Sequence, residues 1–277
     1  MTDDRRRALD TVLATLETAC EVTDEPWGTF VVNPEFHRIH MANFLWLRDL
    51  PRGGVAEAVR RIEEMFTPLR IPDRRWFVER KELAVEIEPE LVRRGYTRRS
   101  EHLMFGRRAP TLPPNPAVAI RPARDQATRD DHDEVAGLLH EEDGYDHEVS
   151  HQLLGLNWRR QAGLGSAVFV AYLEGRPVGN MSFDAIDGVG ELYEVETVPA
   201  MRGRGVAATM VLAARERAEG RALSPFFLRT TVGHTTYQMY EKLGFVREGF
   251  LDGFLRASGT AQAPTTSPGS APGSSPR

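Results

Sequence analysis

The amino-acid sequence predicts a mixed α/β fold, with a mixed central sheet flanked by helices and arranged in two parts of unequal size. Three observations lead to this prediction. Short apolar runs alternate with segments whose apolar residues recur at helical spacing. Four prolines stand between residues 110 and 116, where they disfavour both helix and central strand. The 277 residues, 41% of them hydrophobic, suffice for about two domains.

Residues 1–110 are expected to form the smaller α/β domain. Its apolar periodicity predicts helices over 5–20, 55–66 and 83–94, and strands near 29–32, 43–47, 76–80 and 102–107. The proline-rich stretch at 111–116 is predicted to be a stiff linker to the second domain.

Residues 117–256 are expected to form the larger domain, with the order β-α-α-β-β-β-α-β-α-β. Strands are predicted at 117–121, 167–173, 178–185, 189–198, 226–232 and 246–255, and helices at 130–142, 150–161, 205–219 and 234–243. From residue 257 to 277 the chain is rich in Gly, Ser and Pro and has no large apolar side chain. A disordered tail is predicted there.

Composition narrows the classes of function. Cys20 is the only cysteine, so no intramolecular disulfide or multi-thiolate metal site can form, and a reducing compartment is expected. The sequence has no run of 18 apolar residues and no apolar signal segment, which predicts a cytoplasmic protein with no membrane partner. The net charge of −5 disfavours nucleic acid and favours a cationic substrate.

One segment has a pattern that is typical of an anion-binding turn. Residues 197–207, Thr-Val-Pro-Ala-Met-Arg-Gly-Arg-Gly-Val-Ala, run from a strand end through a glycine-containing turn into a helix. Glycines let a backbone approach a ligand closely, and the free N–H groups at a helix start bind pyrophosphate oxygens. Arg202 and Arg204 would add charge-assisted contacts. Taken alone, the segment is equally consistent with a solvated turn that carries two surface arginines.

Further along, residues 240–245 read Tyr-Glu-Lys-Leu-Gly-Phe. The two segments together resemble the GNAT (Gcn5-related) N-acetyltransferase superfamily, whose pattern Gln/Arg-x-x-Gly-x-Gly/Ala is met by Arg202, Gly205 and Ala207. The resemblance covers residues 117–256 in the family's order and spacing. It implies an acyltransferase that uses acetyl-CoA and no metal, and that acetylates a primary amine of a small molecule or peptide. Homodimers are common in this family.

The resemblance also implies roles for individual residues. The strand backbone at Val195, Glu196 and Thr197 would contact the pantetheine arm of acetyl-CoA. Tyr240 occupies the family position of the acid that protonates the departing thiolate. The residues expected to hold the pyrophosphate are Arg202, Gly203, Arg204, Gly205, Val206, Ala207 and Ala208.

The sequence leaves open which residue acts as the general base. Strand alternation places Glu194 and Glu196 on one face of the central strand and Glu191 on the other, unless a bulge intervenes. In the histone acetyltransferase branch a glutamate lies eleven residues before the first motif residue, which is Glu191 in this chain. Glu191 and Glu194 are the candidate catalytic carboxylates, and the alternative is a water chain with no dedicated base.

Two features lie next to this motif. The family's Asn before the final motif is absent, and His234 stands nearby as a substitute, a base or a simple capping residue. Residues 141–148, expected between the first two helices, carry five acids around Tyr145. This loop is either a rim that attracts a cationic acceptor or an ordinary solvated loop.

The first half resembles the back part of the same fold. Residues 51–56 stand where a pyrophosphate loop would be, and residues 91–96 are similar to residues 240–245. The first half is too short and lacks the Arg-x-x-Gly-x-Gly/Ala pattern, so we expect a degenerate GNAT-like half. The alternative is an unrelated accessory domain.

The leading prediction is an N-acetyltransferase that works by direct transfer in a ternary complex, since Cys20 lies outside the motif-bearing domain. The alternative is a non-catalytic module that binds acetyl-CoA as a sensor or for interaction. Release of thiol in the presence of amines separates the two.

Overall fold

The computed structural model describes residues 2–163 and 165–258. The elements of the first half are α1 (Asp3–Glu17), β1 (Glu21–Glu25), β2 (Gly28–Val32), β3 (Phe44–Leu47), α2 (Gly54–Phe66), β4 (Arg74–Val78), α3 (Lys81–Arg93), β5 (Thr97–Arg98) and β6 (Glu101–Gly106). Those of the second half are β7 (Val118–Pro122), α4 (Gln126–Glu142), α5 (His147–Gln161), β8 (Ala167–Leu173), β9 (Arg176–Ile186), β10 (Val189–Thr197), α6 (Val206–Gly220), β11 (Phe226–Thr231), α7 (Tyr237–Lys242) and β12 (Phe245–Arg256).

The predicted mixed α/β fold is confirmed, because the described strands form one mixed sheet that is flanked by helices. The strand order is β1-β2-β3-β4-β12-β6-β11-β10-β9-β8-β7, and β5 pairs with β12. Most predicted elements occur with ends that differ by a few residues. The predictions missed β1 and β5, and the helix expected over 234–243 begins only at Tyr237. Of the predicted tail, only residues 257 and 258 lie within the described ranges.

The two halves repeat one strand pattern. In β1-β2-β3-β4 and in β8-β9-β10-β11 the pairings run antiparallel, antiparallel and parallel. A helix joins the parallel strands in each half, α2 in the first and α6 in the second. The closing strands are exchanged between the halves, since β6 pairs with β11 while β12 pairs with both β6 and β4. A shared ancestry of the two halves stays a prediction that this repeated order favours.

The parallel strand pairs of the two halves differ in the length over which they are hydrogen-bonded. In the first half every residue of β3 has a partner on β4, from Phe44 opposite Arg75 to Leu47 opposite Val78. In the second half β10 and β11 pair only over residues 190–192 and 226–228, although β10 continues to Thr197. The two strands therefore separate beyond this point and leave a cleft in the sheet. We call it the β10–β11 cleft.

Helices cover both faces of the sheet beside this cleft. Successive residues of a strand point to opposite faces, so Phe226 and Leu228 pack with Met210 and Val211 of α6. Phe227 instead packs with α1, whose apolar residues also contact strands of the first half. Helix α1 and the exchanged strands thus join the two halves around a shared core. None of the described helices is long and apolar enough to cross a membrane.

The turn after α7 gives a test of this packing. Gly244 has φ +86°, and a Cβ there would clash with the carbonyl oxygen of Arg108. Gly175 has a similar φ of +77°, but a Cβ at this position would meet no atom within 4 Å. Gly175→Ala is expected to cost only the left-handed strain of about 1–2 kcal/mol, whereas Gly244→Ala should lose about 1–3 kcal/mol more through overpacking. Urea unfolding of both variants measures the difference, and equal losses would contradict this packing.

Candidate active site

A β-bulge in β10 positions the carboxylates beside the cleft. Tyr193 lies opposite Ser182 of β9, and Glu196 lies opposite Asn180, so three steps along β10 match two steps along β9. Glu194 takes up the extra residue with a φ of +51°. Such a bulge re-aims the side chains that follow it.

The predicted distribution of glutamates over the two strand faces is therefore wrong. Glu191 lies opposite Asp184 and Glu196 lies opposite Asn180, and these two β9 residues share one face because they are an even number of positions apart. Glu191 and Glu196 consequently share a face as well. Regular alternation would have separated them, and the extra residue in β10 reverses that outcome.

Glu196 has the electrostatics of a base that works near neutral pH. Its side chain is half-buried, and burial together with the negative charges of Glu194 and Asp143 raises the pKa of its carboxyl to about 8. Asn180 and Arg202 oppose this rise in pKa without cancelling it. The sequence offers Glu196 as one of three strand glutamates and assigns it a backbone contact, because a regular strand gives no reason to prefer it as base over the other two.

Tyr240 lies within α7, the short helix that follows β11 across the cleft from β10, and is buried. Its ring packs against Phe245, with 6.1 Å between ring centroids. Burial, and after it the negative charge of Glu196, raises the pKa of the Tyr240 phenol to about 12. The phenol therefore keeps its proton at neutral pH. Tyr145, in the loop between α4 and α5, has its pKa raised to about 12 by burial, Asp143 and Glu196.

The other two glutamates lie in different surroundings. Glu194 is exposed, and its Oε2 accepts a hydrogen bond from the Ser182 hydroxyl at 2.9 Å. Glu191 is fully buried, and its Oε1 accepts from Nε of Arg229 at 3.0 Å. Burial raises the pKa of Glu191. Glu196 thus lies beside the cleft, close enough for its charge to act on the Tyr240 phenol, whereas Glu191 is enclosed in the core.

The glycine-containing turn has the shape expected of an anion site. Gly203 and Gly205 have φ of +77° and +76°, and α6 begins at Val206 with no side-chain cap. The first hydrogen bond of the helix runs from the N–H of Thr209 to the carbonyl of Gly205, at 3.0 Å. The N–H groups of Val206, Ala207 and Ala208 are therefore left outside the helical pattern at its positive end.

Asn115 of the predicted linker supports this turn. Its side-chain amide donates to the carbonyl oxygen of Arg204 at 2.8 Å, and its backbone N–H donates to the hydroxyl of Thr209 at 2.8 Å. The guanidinium groups of the turn are both engaged by carboxylates. Arg202 bonds Glu142 at 2.7 Å and also the carbonyl oxygen of Thr197, and Arg204 bonds Glu174 at 2.8 Å.

The cleft edge of β10 is open from Tyr193 to Thr197, because the pairing with β11 ends at Leu192. Backbone groups of Val195 and its neighbours that point away from β9 consequently have no strand to pair with. An extended molecule with amide groups can bond there as an added strand does.

The acidic loop is less negative than its composition indicates. Asp146 and Glu148 both form ion pairs with Arg38, at 2.8 and 3.1 Å, and Glu142 pairs with Arg202. Asp146 also caps α5 by accepting from the N–H of Val149. Among residues 2–163 and 165–258, no group of three His, Cys, Asp or Glu side chains is placed to hold a metal ion.

His234 has a local contact rather than one across the cleft. Its Nδ1 lies 3.0 Å from the hydroxyl of Thr236, and that hydroxyl lies 3.1 Å from the hydroxyl of Thr230. This network holds the chain between β11 and α7, and α7 itself begins after Thr236 with no side-chain cap.

Comparison with known proteins finds a family match within the second half of the chain. Residues 130–245 match the acetyltransferase (GNAT) family. No curated protein matches the chain. A GCN5-related N-acetyltransferase from Kribbella flavida is similar in structure, with a TM-score of 0.67, 16% identity, and coverage of 94% of this chain and 97% of that one.

Two further solved structures show the same fold. A functionally unknown conserved protein from Staphylococcus epidermidis has a TM-score of 0.67 and 14% identity, covering 87% of this chain and 95% of its own. A tandem GNAT protein from the clavulanic acid biosynthesis pathway has a TM-score of 0.50 and 11% identity, covering 79% of this chain and 76% of its own. At these identities the likeness establishes the fold alone.

The pKa of Glu196 can be measured without any ligand. With ¹³C-labelled glutamate side chains, NMR should show one carboxyl resonance that titrates near pH 8 and is lost in Glu196→Gln. Glu194→Gln should lower this pKa, because it removes the neighbouring negative charge. Glu219→Gln, at the far end of α6, is the control and should leave it in place. Titration of every glutamate below pH 6 would contradict the site geometry.

Proposed function

We propose that this chain, whose residues 130–245 belong to the acetyltransferase (GNAT) family, is an N-acetyltransferase that transfers an acetyl group from acetyl-CoA to a primary amine. The observation that carries this proposal is the β10–β11 cleft, with Glu196 on one side and Tyr240 on the other. The cleft leads to the glycine-containing turn at the start of α6.

Acetyl-CoA fits the residues along this path. The N–H groups of Val206, Ala207 and Ala208 would bind its pyrophosphate, with the positive end of the α6 dipole behind them. The open edge of β10 at residues 193–197 would bond the amides of the pantetheine arm. The thioester would then lie between Glu196 and Tyr240.

An acceptor ammonium loses two protons when it becomes an amide nitrogen, and one proton must reach the departing thiolate. Glu196 takes a proton from the acceptor ammonium, and the free amine attacks the thioester carbonyl. The tetrahedral intermediate collapses with cleavage of the carbon–sulfur bond. Tyr240 donates its phenolic proton to the departing thiolate, and the second proton of the acceptor nitrogen leaves to solvent, from which the phenol is reprotonated.

Direct transfer agrees with the state of the only cysteine. Burial raises the pKa of the Cys20 thiol to about 12, so the thiolate needed for an acyl-enzyme is scarce at neutral pH. Cys20 also belongs to the segment between α1 and β1, outside residues 130–245, which match the family. We therefore propose a ternary complex of enzyme, acetyl-CoA and amine.

A second candidate is a module that binds acetyl-CoA without turnover. Two observations favour it: Arg202 is already bonded to Glu142, and the family's Asn before the final motif is missing. Thiol release in the presence of an amine panel separates this candidate from the enzyme.

Cofactor binding is tested at the turn. Gly205→Glu places a bulky anion where the pyrophosphate would bind and should abolish micromolar binding of acetyl-CoA in calorimetry. Gly220→Glu is the matched control at the other end of α6, where a Cβ meets no atom within 4 Å, and should bind like the wild type. Unfolding curves confirm that both variants are folded. Unchanged binding by Gly205→Glu, or no binding by the wild type, would contradict the proposal.

Catalysis is tested by the pH dependence of kcat/KM. Glu196 must be deprotonated to act as base, so the rate should rise with pH through an inflection near 8. Glu196→Gln should lose about a hundredfold in kcat and the inflection with it. Glu194→Gln should keep the inflection but move it to lower pH. A flat profile in the wild type, or full activity of Glu196→Gln, would exclude Glu196 as the base.

A further inference from the structure

A cavity of about 260 Å³ lies where the two halves of the chain meet, next to the β10–β11 cleft. Its lining from the first half includes Arg75, Arg99 and His40, and its lining from the second half includes Tyr145 and Thr231. We call it the junction cavity. Nothing in the proposed transfer of the acetyl group uses these first-half residues.

Arg75 brings a buried guanidinium with unused hydrogen-bonding capacity to this cavity. Its side chain is only 5% exposed, and its Nε has no hydrogen-bond partner among the described residues. The nearest carboxylate, that of Glu101, lies 3.7 Å from Nη2 and is bonded more closely by Arg229, at 2.8 Å. A buried donor without an acceptor is costly unless a ligand supplies one.

Arg99 adds a second positive charge. Its side chain forms no ion pair with any residue that the structure describes, and Arg38, on the same cavity wall, is by contrast held by Asp146 and Glu148. The effect of this charge is visible at His40. Burial, Arg75 and Arg99 together lower the pKa of His40 to about 3.

One acidic group partly offsets this charge. Asp73 lines the cavity, accepts a hydrogen bond from the N–H of Ser258 at 3.0 Å, and has its pKa raised by burial. With Glu101 shared between two arginines and Arg38 already paired, Arg75 and Arg99 are the cations left to receive an anion. A guanidinium fork suits the two oxygens of a carboxylate.

Two residues of the cavity lining lie near the residues proposed for acetyl transfer. Tyr145 lines it and is close enough to Glu196 for that carboxylate to raise its pKa. Thr231 ends β11, the strand that bounds the cleft. A molecule that occupies the junction cavity can therefore extend toward Glu196.

We propose that the junction cavity is an acceptor subsite in which Arg75 and Arg99 bind a carboxylate, so that the acceptor is an amino acid or another amine that carries a carboxylate. This inference rests on the proposed function and specifies its substrate. The ammonium end of the acceptor would lie at Glu196 and the anionic end in the cavity. The composition of the acidic loop had favoured a purely cationic acceptor, whereas this acceptor carries a negative charge as well.

The test compares each α- and ω-amino acid of a panel with its own carboxamide, which differs only in the negative charge. The carboxylates should show kcat/KM values about tenfold or more above those of the amides, the value of one lost charge-assisted hydrogen bond. Arg99→Gln should remove most of this preference, and Arg93→Gln, an exposed arginine of α3, should retain it. Arg99 is exposed, so its variant is expected to fold.

Two measurements keep this inference separate from the proposed function. In calorimetry, the wild type and Arg99→Gln should bind acetyl-CoA with the same affinity. If neither binds acetyl-CoA, the result counts against the proposed acetyltransferase and not against the carboxylate subsite. Calorimetry with the amino acids in the absence of acetyl-CoA tests the cavity directly. Binding that is lost in Arg99→Gln supports the subsite. Equal use of acids and amides, an unchanged preference in Arg99→Gln, or no binding of any carboxylate would overturn it.

Discussion

The extra residue in β10 is the constraint on which the site depends. By placing three steps of β10 against two of β9, the bulge turns Glu196 to the face that Glu191 occupies. The separation of β10 from β11 begins at the same level of the sheet, after Leu192. One irregularity thus coincides with both the open strand edge and the carboxylate whose pKa rises to about 8. The fully paired strands β3 and β4 of the first half have no such cleft, although they hold the same place in the repeated pattern.

Local patterns predicted much of this architecture. Apolar periodicity predicted most helices and strands, and the glycines at 203 and 205 predicted a turn whose positive φ values the structure confirms. Strand β1 was missed because its sequence, Glu-Val-Thr-Asp-Glu, is acidic and its pairing depends on the backbone of β2. The exchange of β6 and β12 was beyond prediction for a related reason. Pairing between distant strands leaves no periodic signal in either one.

The electrostatics could not be predicted from residue counts. Five acids in eight residues indicated a rim for a cationic acceptor, yet Arg38 and Arg202 neutralise three of them. Arg38 lies far from this loop in sequence, so the pairing follows from the fold alone. The junction cavity adds two positive charges, those of Arg75 and Arg99, from the half that lacks the glycine-containing motif. In the proposed reaction, the first half therefore binds the carboxylate of the acceptor.

The most direct test of this account is amide hydrogen exchange with and without saturating acetyl-CoA. Peptides that cover residues 193–198 and 203–208 should exchange more slowly in the complex, because the open edge of β10 and the start of α6 would be bonded to the ligand. Residues 51–56, the corresponding turn of the first half, should not change. Absence of protection in the second half, or protection confined to residues 51–56, would contradict the assignment of the β10–β11 cleft as the acetyl-CoA site.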